Sequence, residues 1–411
     1  MMSAACRFCS APLKLSFADL GMSPPSNSYL KAEDLNRMER FYPLHAWVCE
    51  KCFLVQLEEF ETPEQIFSDY AYFSSYSDSW LAHAKAYTSA MTRRLGLGPS
   101  SFVVEIASND GYLLQYFVEQ GVPVLGIEPA ANVAAVAEKK GVPTLVKFFG
   151  TRTATELASA GRKADLILGN NVLAHVPDLN DFVRGMSVLL KPGGVVTMEF
   201  PHLLRLMQES QFDTIYHEHF SYLSFVVTER VFAAHGLTLF DVDEIPTHGG
   251  SLRVYARHAA NGAPPVTEKV VELRARERAA GLERAETYSA FAEQVKAAKR
   301  GLLKFLIGAK ESGKRVVGYG APAKGNTLLN YCGVRTDLLE YTVDRSPHKQ
   351  GRFLPGVHIP IYAPDRIMQT RPDYVLILPW NLRDEIVAQM AGIRAWGGRF
   401  VVPIPDTRVL E

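Results

Sequence analysis

The densest group of reactive side chains in the sequence is Tyr216-His217-Glu218-His219, followed by Tyr222. Two imidazoles, a carboxylate and two phenols so close together suit proton transfer better than the capping of a surface helix. The pattern is not H-E-x-x-H, because Ser221 stands four residues after His217, so a zinc protease is unsupported. Histidine titrates near neutrality and can take a proton from a carbon beside a ketone. A tyrosine or a second histidine can then donate to the enolate oxygen. His175, in Asn171-Val172-Leu173-Ala174-His175-Val176-Pro177, either faces the same cleft or caps a helix.

A second constellation lies at the start of the chain. Cys6-x-x-Cys9 and Cys49-x-x-Cys52 are two short knuckles, and four thiolates close a tetrahedron around one zinc ion with no position left for water. The expected role of the metal is therefore structural, in a block too small to bury a sufficient core by itself. Cys332 stands apart and reads as a core thiol.

These residues need elements to position them. Residues 1–60 read as short strands and turns around the cysteines, a zinc-binding domain. Residues 61–258 alternate apolar strands with helical stretches: Phe102–Ala107, Val122–Glu128, Thr144–Val146, Ala164–Gly169 and Gly194–Phe200. That alternation predicts a parallel sheet covered on both faces. Leu237–Asp243 and Leu252–Ala256 are separated by a Gly-containing turn and predict an antiparallel hairpin at its edge. Residues 259–411 begin with a charged connector, expected as two solvated amphipathic helices broken near Gly281. A second α/β unit follows, with strands at Arg315–Tyr319, Leu339–Val343, Tyr374–Leu378 and Arg399–Val402.

The first long strand enters Glu105-Ile106-Ala107-Ser108-Asn109-Asp110-Gly111, a small-residue turn that allows close approach of a ligand. The second ends in Glu128, where an acid can accept from both ribose hydroxyls, and the fourth ends in Gly169-Asn170-Asn171. In this order they resemble the nucleoside-binding half of a class I methyltransferase, whose cofactor is S-adenosylmethionine. The resemblance implies a cofactor site of Ala107, Ser108, Asp110, Gly111, Glu128 and Asn170. Asp110 and Gly111 would then line the methionine side, and Phe148 and Phe149 would flank the adenine or sit in the core.

Nearly the whole chain resembles sugar C-methyltransferases that act on dTDP-linked 4-keto deoxysugars, commonly at C-3. The likeness includes both cysteine pairs, Phe67-Ser68-Asp69-Tyr70-Ala71-Tyr72-Phe73-Ser74-Ser75 and Ser108-Asn109-Asp110-Gly111. It extends through Gln211-Phe212-Asp213-Thr214-Ile215-Tyr216-His217-Glu218-His219 and Gly318-Tyr319-Gly320-Ala321-Pro322-Ala323-Lys324-Gly325-Asn326-Thr327. It implies a zinc domain, a methyltransferase domain and a C-terminal Rossmann-like domain, with the sugar between the last two. It makes His219 the base and places Tyr216, Glu218, His175 and Tyr70 around the sugar, with His217 in doubt as a participant. Apart from the resemblance, Lys324 and Asn326 at a helix start can hold a diphosphate or sugar hydroxyl, and His248-Gly249-Gly250 either presents Ser251 and Arg253 to the sugar nucleotide or is a plain hairpin turn.

Two rival readings stay open. Gly318-x-Gly320-x-x-Ala323 after a strand, with Asp344 ending the next, also fits a loose dinucleotide fingerprint of a nicotinamide-dependent dehydrogenase or epimerase. A non-catalytic zinc-bearing interaction protein is the other. The chain has 411 residues, with 44 acidic and 44 basic. That balance argues against a nucleic-acid or membrane partner held by bulk charge. No apolar run approaches the roughly 20 residues of a membrane span, and the N-terminus lacks a secretory pattern, so a cytoplasmic protein is expected.

Overall fold

The computed structural model describes residues 5–63 and 73–410. Three sheets organise it. The N-terminal sheet holds β1 (Leu15–Ser23), β2 (Tyr42–Val48) and β3 (Val55–Leu57), all antiparallel.

The central sheet contains β4 (Val103–Ile106), β5 (Val124–Ile127), β6 (Thr144–Leu145), β7 (Ala164–Asn170) and β8 (Leu190–Pro201), mutually parallel. All four residues of β4 and of β5 are buried, as expected of parallel strands covered on both faces. A two-residue strand, β9 (Ser221–Tyr222), then leaves this unit and pairs with β3 as the fourth strand of the N-terminal sheet. The expected hairpin follows as β10 (Leu237–Ile245) and β11 (Ser251–His258), which packs antiparallel on β8. The resulting order is β10-β11-β8-β7-β4-β5-β6.

The C-terminal sheet contains β12 (Val316–Tyr319), β13 (Thr342–Val343), β14 (Ile361–Tyr362), β15 (Tyr374–Ile377), β16 (Arg399–Val402) and β17 (Arg408–Val409), in the order β14-β13-β12-β15-β16-β17. Only β17 is antiparallel. The sequence pattern does not predict β14 or β17.

The connector forms two helices, Glu268–Ala279 and Ala285–Glu311, with Gly281 at φ 84° between them. Its expected solvation needs correction. The second helix sends Tyr288, Phe291, Val295, Leu302 and Leu306 into a core shared by the N-terminal sheet and the C-terminal unit. Phe17 of β1 stacks on Phe291 with ring centroids 4.5 Å apart. The charged residues lie on the opposite face, and their number hid this apolar stripe. Among the described residues, no helix is long and apolar enough to cross a membrane.

Candidate functional site

Three parallel strands aim their carboxyl ends at one region. The turn after β4 takes left-handed backbone at alternate positions: Ala107 at φ 56°, Asn109 at 50° and Gly111 at 74°. Asn171, just after β7, has φ 54°. Such strain in non-glycine residues clusters where a backbone is shaped around a ligand. The same region holds buried polar atoms without a hydrogen-bond partner: Ser108 Oγ, Asp110 Oδ1 and Asn170 Oδ1. Buried polar groups are ordinarily satisfied, so this concentration fits a polar ligand.

Glu128 directly follows β5 and accepts the Asn109 N–H at 3.0 Å and the Ala130 N–H at 2.9 Å. Burial pushes its carboxyl above the usual range. Asp110 pairs with Lys140 at 3.1 Å, and Asn170 donates to the Tyr112 hydroxyl at 3.4 Å. Gly126 matters for a steric reason, since a Cβ there would lie 3.0 Å from Ser108 Cβ. The donor set, the cradle and the orphaned acceptors fit the ribose and amino acid portions of S-adenosylmethionine. Of the two candidate adenine neighbours, Phe149 packs edge-on against Phe182 and Phe148 is exposed.

The reactive cluster sits in the loop between β8 and β9. His219 donates from Nδ1 to the Thr214 carbonyl at 2.8 Å, which leaves Nε2 as the lone-pair nitrogen. Burial, then the nearby His175, hold its pKa well below the usual histidine value. The ring of Tyr216 lies 4.0 Å from that of His219, and His175 meets it edge-on at 4.7 Å. His175 donates from Nδ1 to the Glu218 carbonyl at 2.7 Å, and burial lowers its pKa to about 4. Glu218 is buried, and its carboxyl is pushed up to about 7. A small cavity opens beside His219, lined by Thr214, Ser221 and Tyr222 among others. Two neutral imidazoles, a carboxyl poised near neutrality and phenols can together accept a proton from carbon and steady the oxyanion that results.

His217 points elsewhere, with Nε2 3.3 Å from the Pro43 carbonyl and its ring edge-on to Tyr42 and Phe60. Tyr70 lies outside the described residues. Lys324 is partly buried, donates to Asn381 Oδ1 at 2.8 Å and sits 4.4 Å over the Trp380 ring. Asn326 is fully buried. Ser251 donates to the Thr247 carbonyl at 2.9 Å, and Arg253 pairs with Glu199 through Nε at 2.6 Å. Those last two side chains are thus committed to protein partners.

Sequence reasoning missed several neighbours. Asn27, from a Pro-Pro-Ser-Asn turn of the N-terminal domain, donates to Glu218. Trp80 stacks on Tyr112 and meets His248 edge-on, while His248 bonds Asn171 at 2.9 Å. Nothing in their local spacing announces these contacts, which only tertiary packing creates.

In the N-terminal domain the four thiols of Cys6, Cys9, Cys49 and Cys52 lie within 4.8 Å of one another. The Sγ atoms of Cys6 and Cys52 are 3.6 Å apart, and those of Cys9 and Cys49 are 3.4 Å apart. Four converging soft donors fit a closed zinc site. Cys332 is buried separately, as expected.

Three family models match successive stretches. One described as "Putative zinc binding domain" covers residues 6–67, "Methyltransferase domain" covers 80–242, and "C-methyltransferase C-terminal domain" covers 246–405. The chain is 37% identical over 406 residues to the C-methyltransferase NovU of Streptomyces niveus, spanning 99% of this chain and 96% of that protein. The ubiquinone biosynthesis O-methyltransferase of Bartonella tribocorum is 30% identical over 95 residues, which is 23% of this chain and 38% of that one. An S-adenosylmethionine-dependent methyltransferase structure from Clostridium acetobutylicum aligns over 43% of this chain and 92% of its own, at 13% identity and a TM-score of 0.36, too loose to support an argument. The whole-length identity to NovU and the ordered run of three matching domains assign this chain to the C-methyltransferase family.

Proposed function

We propose that the protein uses S-adenosylmethionine to methylate a carbon next to the ketone, C-3, of a nucleoside-diphosphate 4-keto-6-deoxysugar, dTDP-linked in the first instance. The supporting observation is His219, a neutral imidazole whose Nδ1–H is committed to Thr214 and whose Nε2 is the basic nitrogen. Nε2 removes the C-3 proton, and the C–H electron pair moves into an enolate with its charge on the C-4 oxygen. His175 already donates its Nδ1–H to Glu218, so the donor to that oxygen is a phenol, and we assign it to Tyr216, whose ring lies nearer to His219 than that of Tyr222. Bound S-adenosylmethionine supplies an electrophilic methyl group. The cradle of Asp110, Glu128 and Asn170 holds it, and the protein's main contribution is to align two reactants. The zinc cluster has a structural role. The sugar class and position rest on the sequence motifs shared with sugar C-methyltransferases.

The nicotinamide alternative finds less support. Asp344 accepts the N–H groups of Ala321 and Ser346, both at 2.8 Å, and so closes its own turn. Tyr29 and Lys349 both donate to the Ala321 carbonyl beside it.

The deciding experiment incubates the protein with methyl-labelled donor and dTDP-, GDP- and CDP-linked 4-keto-6-deoxysugars. Label on C-3 of one of them is the expected result. Label on oxygen or nitrogen, or on no sugar of the panel, overturns the proposal.

A further inference from the structure

The loop that carries His219 is held from the C-terminal domain at two points. Trp380 donates from Nε1 to Asp213 Oδ2 at 2.7 Å, and Thr327 donates from Oγ1 to the Ile215 carbonyl at 3.1 Å. Asp213 and Ile215 flank Thr214, whose carbonyl accepts the Nδ1–H of His219. Asp213, Thr214, Ile215 and Thr327 are all buried. Trp380 is itself seated closely: a Cβ on Gly249 would lie 2.6 Å from its indole Cη2. Lys324 Nζ lies over that ring, 4.4 Å from its centroid.

The tautomer of a histidine is set by what its second nitrogen bonds, and here that partner is a single peptide carbonyl. The direction of a carbonyl follows the plane of its peptide. The N–H of that same peptide, on Ile215, donates to the Phe212 carbonyl at 3.0 Å within the turn, and anchoring the residue on each side of Thr214 holds the turn, and with it the plane, in place. We infer that Trp380 and Thr327 are positioning residues: from the C-terminal domain they set the direction of the Thr214 carbonyl, and through it the tautomer and aim of His219 Nε2. The inference rests on the reading of His219 as the base. It gives the C-terminal domain a part in the proton-transfer step beyond holding substrate. The competing explanation is that the same two hydrogen bonds merely dock the domains.

The test uses the full-length protein with Thr327→Val, Trp380→Phe, their combination, and Thr327→Ser as the conservative variant. Nitrogen-15 spectra identify the His219 ring signals by their loss in His219→Asn. Deuterium exchange at C-3 of the keto-sugar, without methyl donor, reads proton abstraction alone. In the unaltered protein His219 is expected as the Nδ1–H tautomer, and in the double variant as a mixture of both. Exchange and kcat should then fall about tenfold or more, because small misplacements of a reacting group are costly. Donor affinity and KM should stay within about twofold, and Thr327→Ser should recover most of the rate. A single Nδ1–H tautomer in the double variant overturns the inference. So does a rise in KM with kcat held, or a Thr327→Ser enzyme as slow as Thr327→Val. If the unaltered protein exchanges no sugar proton while the tautomer shifts as stated, the sugar proposal fails and the positioning role stands.

Discussion

Asn27 and Glu218 meet through a 2.6 Å hydrogen bond although 191 positions separate them. The contact ties a turn of the N-terminal domain to the centre of the reactive cluster. Burial lifts the Glu218 carboxyl to about 7, against the Asn27 bond, which favours the charged form. The folded protein therefore holds a proton here that the unfolded chain, with an ordinary value of 4.5, releases. Stability from this group is fully present below the unfolded value and is lost as pH rises through about 7. Glu218→Gln removes that loss. Relative to the unaltered protein, the variant should gain on the order of 3 kcal/mol between about pH 4.5 and pH 7.5, since each tenfold change in proton affinity is worth about 1.4 kcal/mol. Urea unfolding of both proteins at several pH values measures it, and a difference independent of pH would contradict the carboxyl's raised value.

His219→Asn keeps a donor for the Thr214 carbonyl but removes the basic Nε2. Turnover should fall by about 10²-fold or more. Calorimetry with S-adenosylmethionine should show unchanged affinity, because the donor cradle lies on β4, β5 and β7. Near-normal turnover in this variant would remove His219 from the mechanism.

Gly126→Ala probes the donor cradle without touching a charged group. The added methyl meets Ser108, whose hydroxyl is one of the orphaned buried atoms. Overpacking of this kind costs about 1–3 kcal/mol and displaces the neighbour. Donor affinity should weaken by about tenfold, the equivalent of about 1.4 kcal/mol, with the fold retained. Affinity equal to that of the unaltered protein would mean that the ligand does not lie over the Ser108 turn.

Zinc binding is checked by elemental analysis of the purified chain and by a chelator titration. One zinc ion per chain is expected from the four converging thiols. Its removal should lower the thermal midpoint and also reduce turnover, because Asn27 reaches Glu218 from the domain that the metal organises. Cys49→Ser should reproduce both effects. An unaltered midpoint after complete metal loss would dismiss a structural role.

Much of this architecture was legible in the sequence. Val103–Ile106 and Val124–Ile127 announced themselves as short apolar runs, the first entering a small-residue turn and the second leading into Glu128, and the Thr247–Gly250 turn marked the edge hairpin. The cysteine spacing pointed to the four-thiol cluster. Other features had no local signal. β9 is two residues long and exists only because Val55 and Gln56 offer an open edge. Trp380 and Thr327 gain meaning from Asp213 and Ile215, more than a hundred positions away. The connector misled because its charges outnumber its apolar stripe, and charge counts do not report which face is covered.

That connector supplies a sharp stability prediction through Glu277. Its carboxylate is completely buried and accepts from His202 Nε2 at 2.6 Å, Phe225 N at 2.7 Å and Val226 N at 2.8 Å. Phe225 and Val226 open the helix Phe225–Ala234, where unpaired N–H groups and the helix dipole favour an anion. Glu277 thus caps a helix of the methyltransferase unit from a helix of the connector. Glu277→Ala strands all three donors in a dry site. The loss should be on the order of 3 kcal/mol or more, since each buried donor left without an acceptor costs about 1–3 kcal/mol. Glu277→Gln keeps an acceptor for part of the set and should cost less. Denaturant unfolding of the two variants measures the difference. Equal and small losses in both would mean that water enters and satisfies the helix end, and that the connector is attached by its apolar stripe alone.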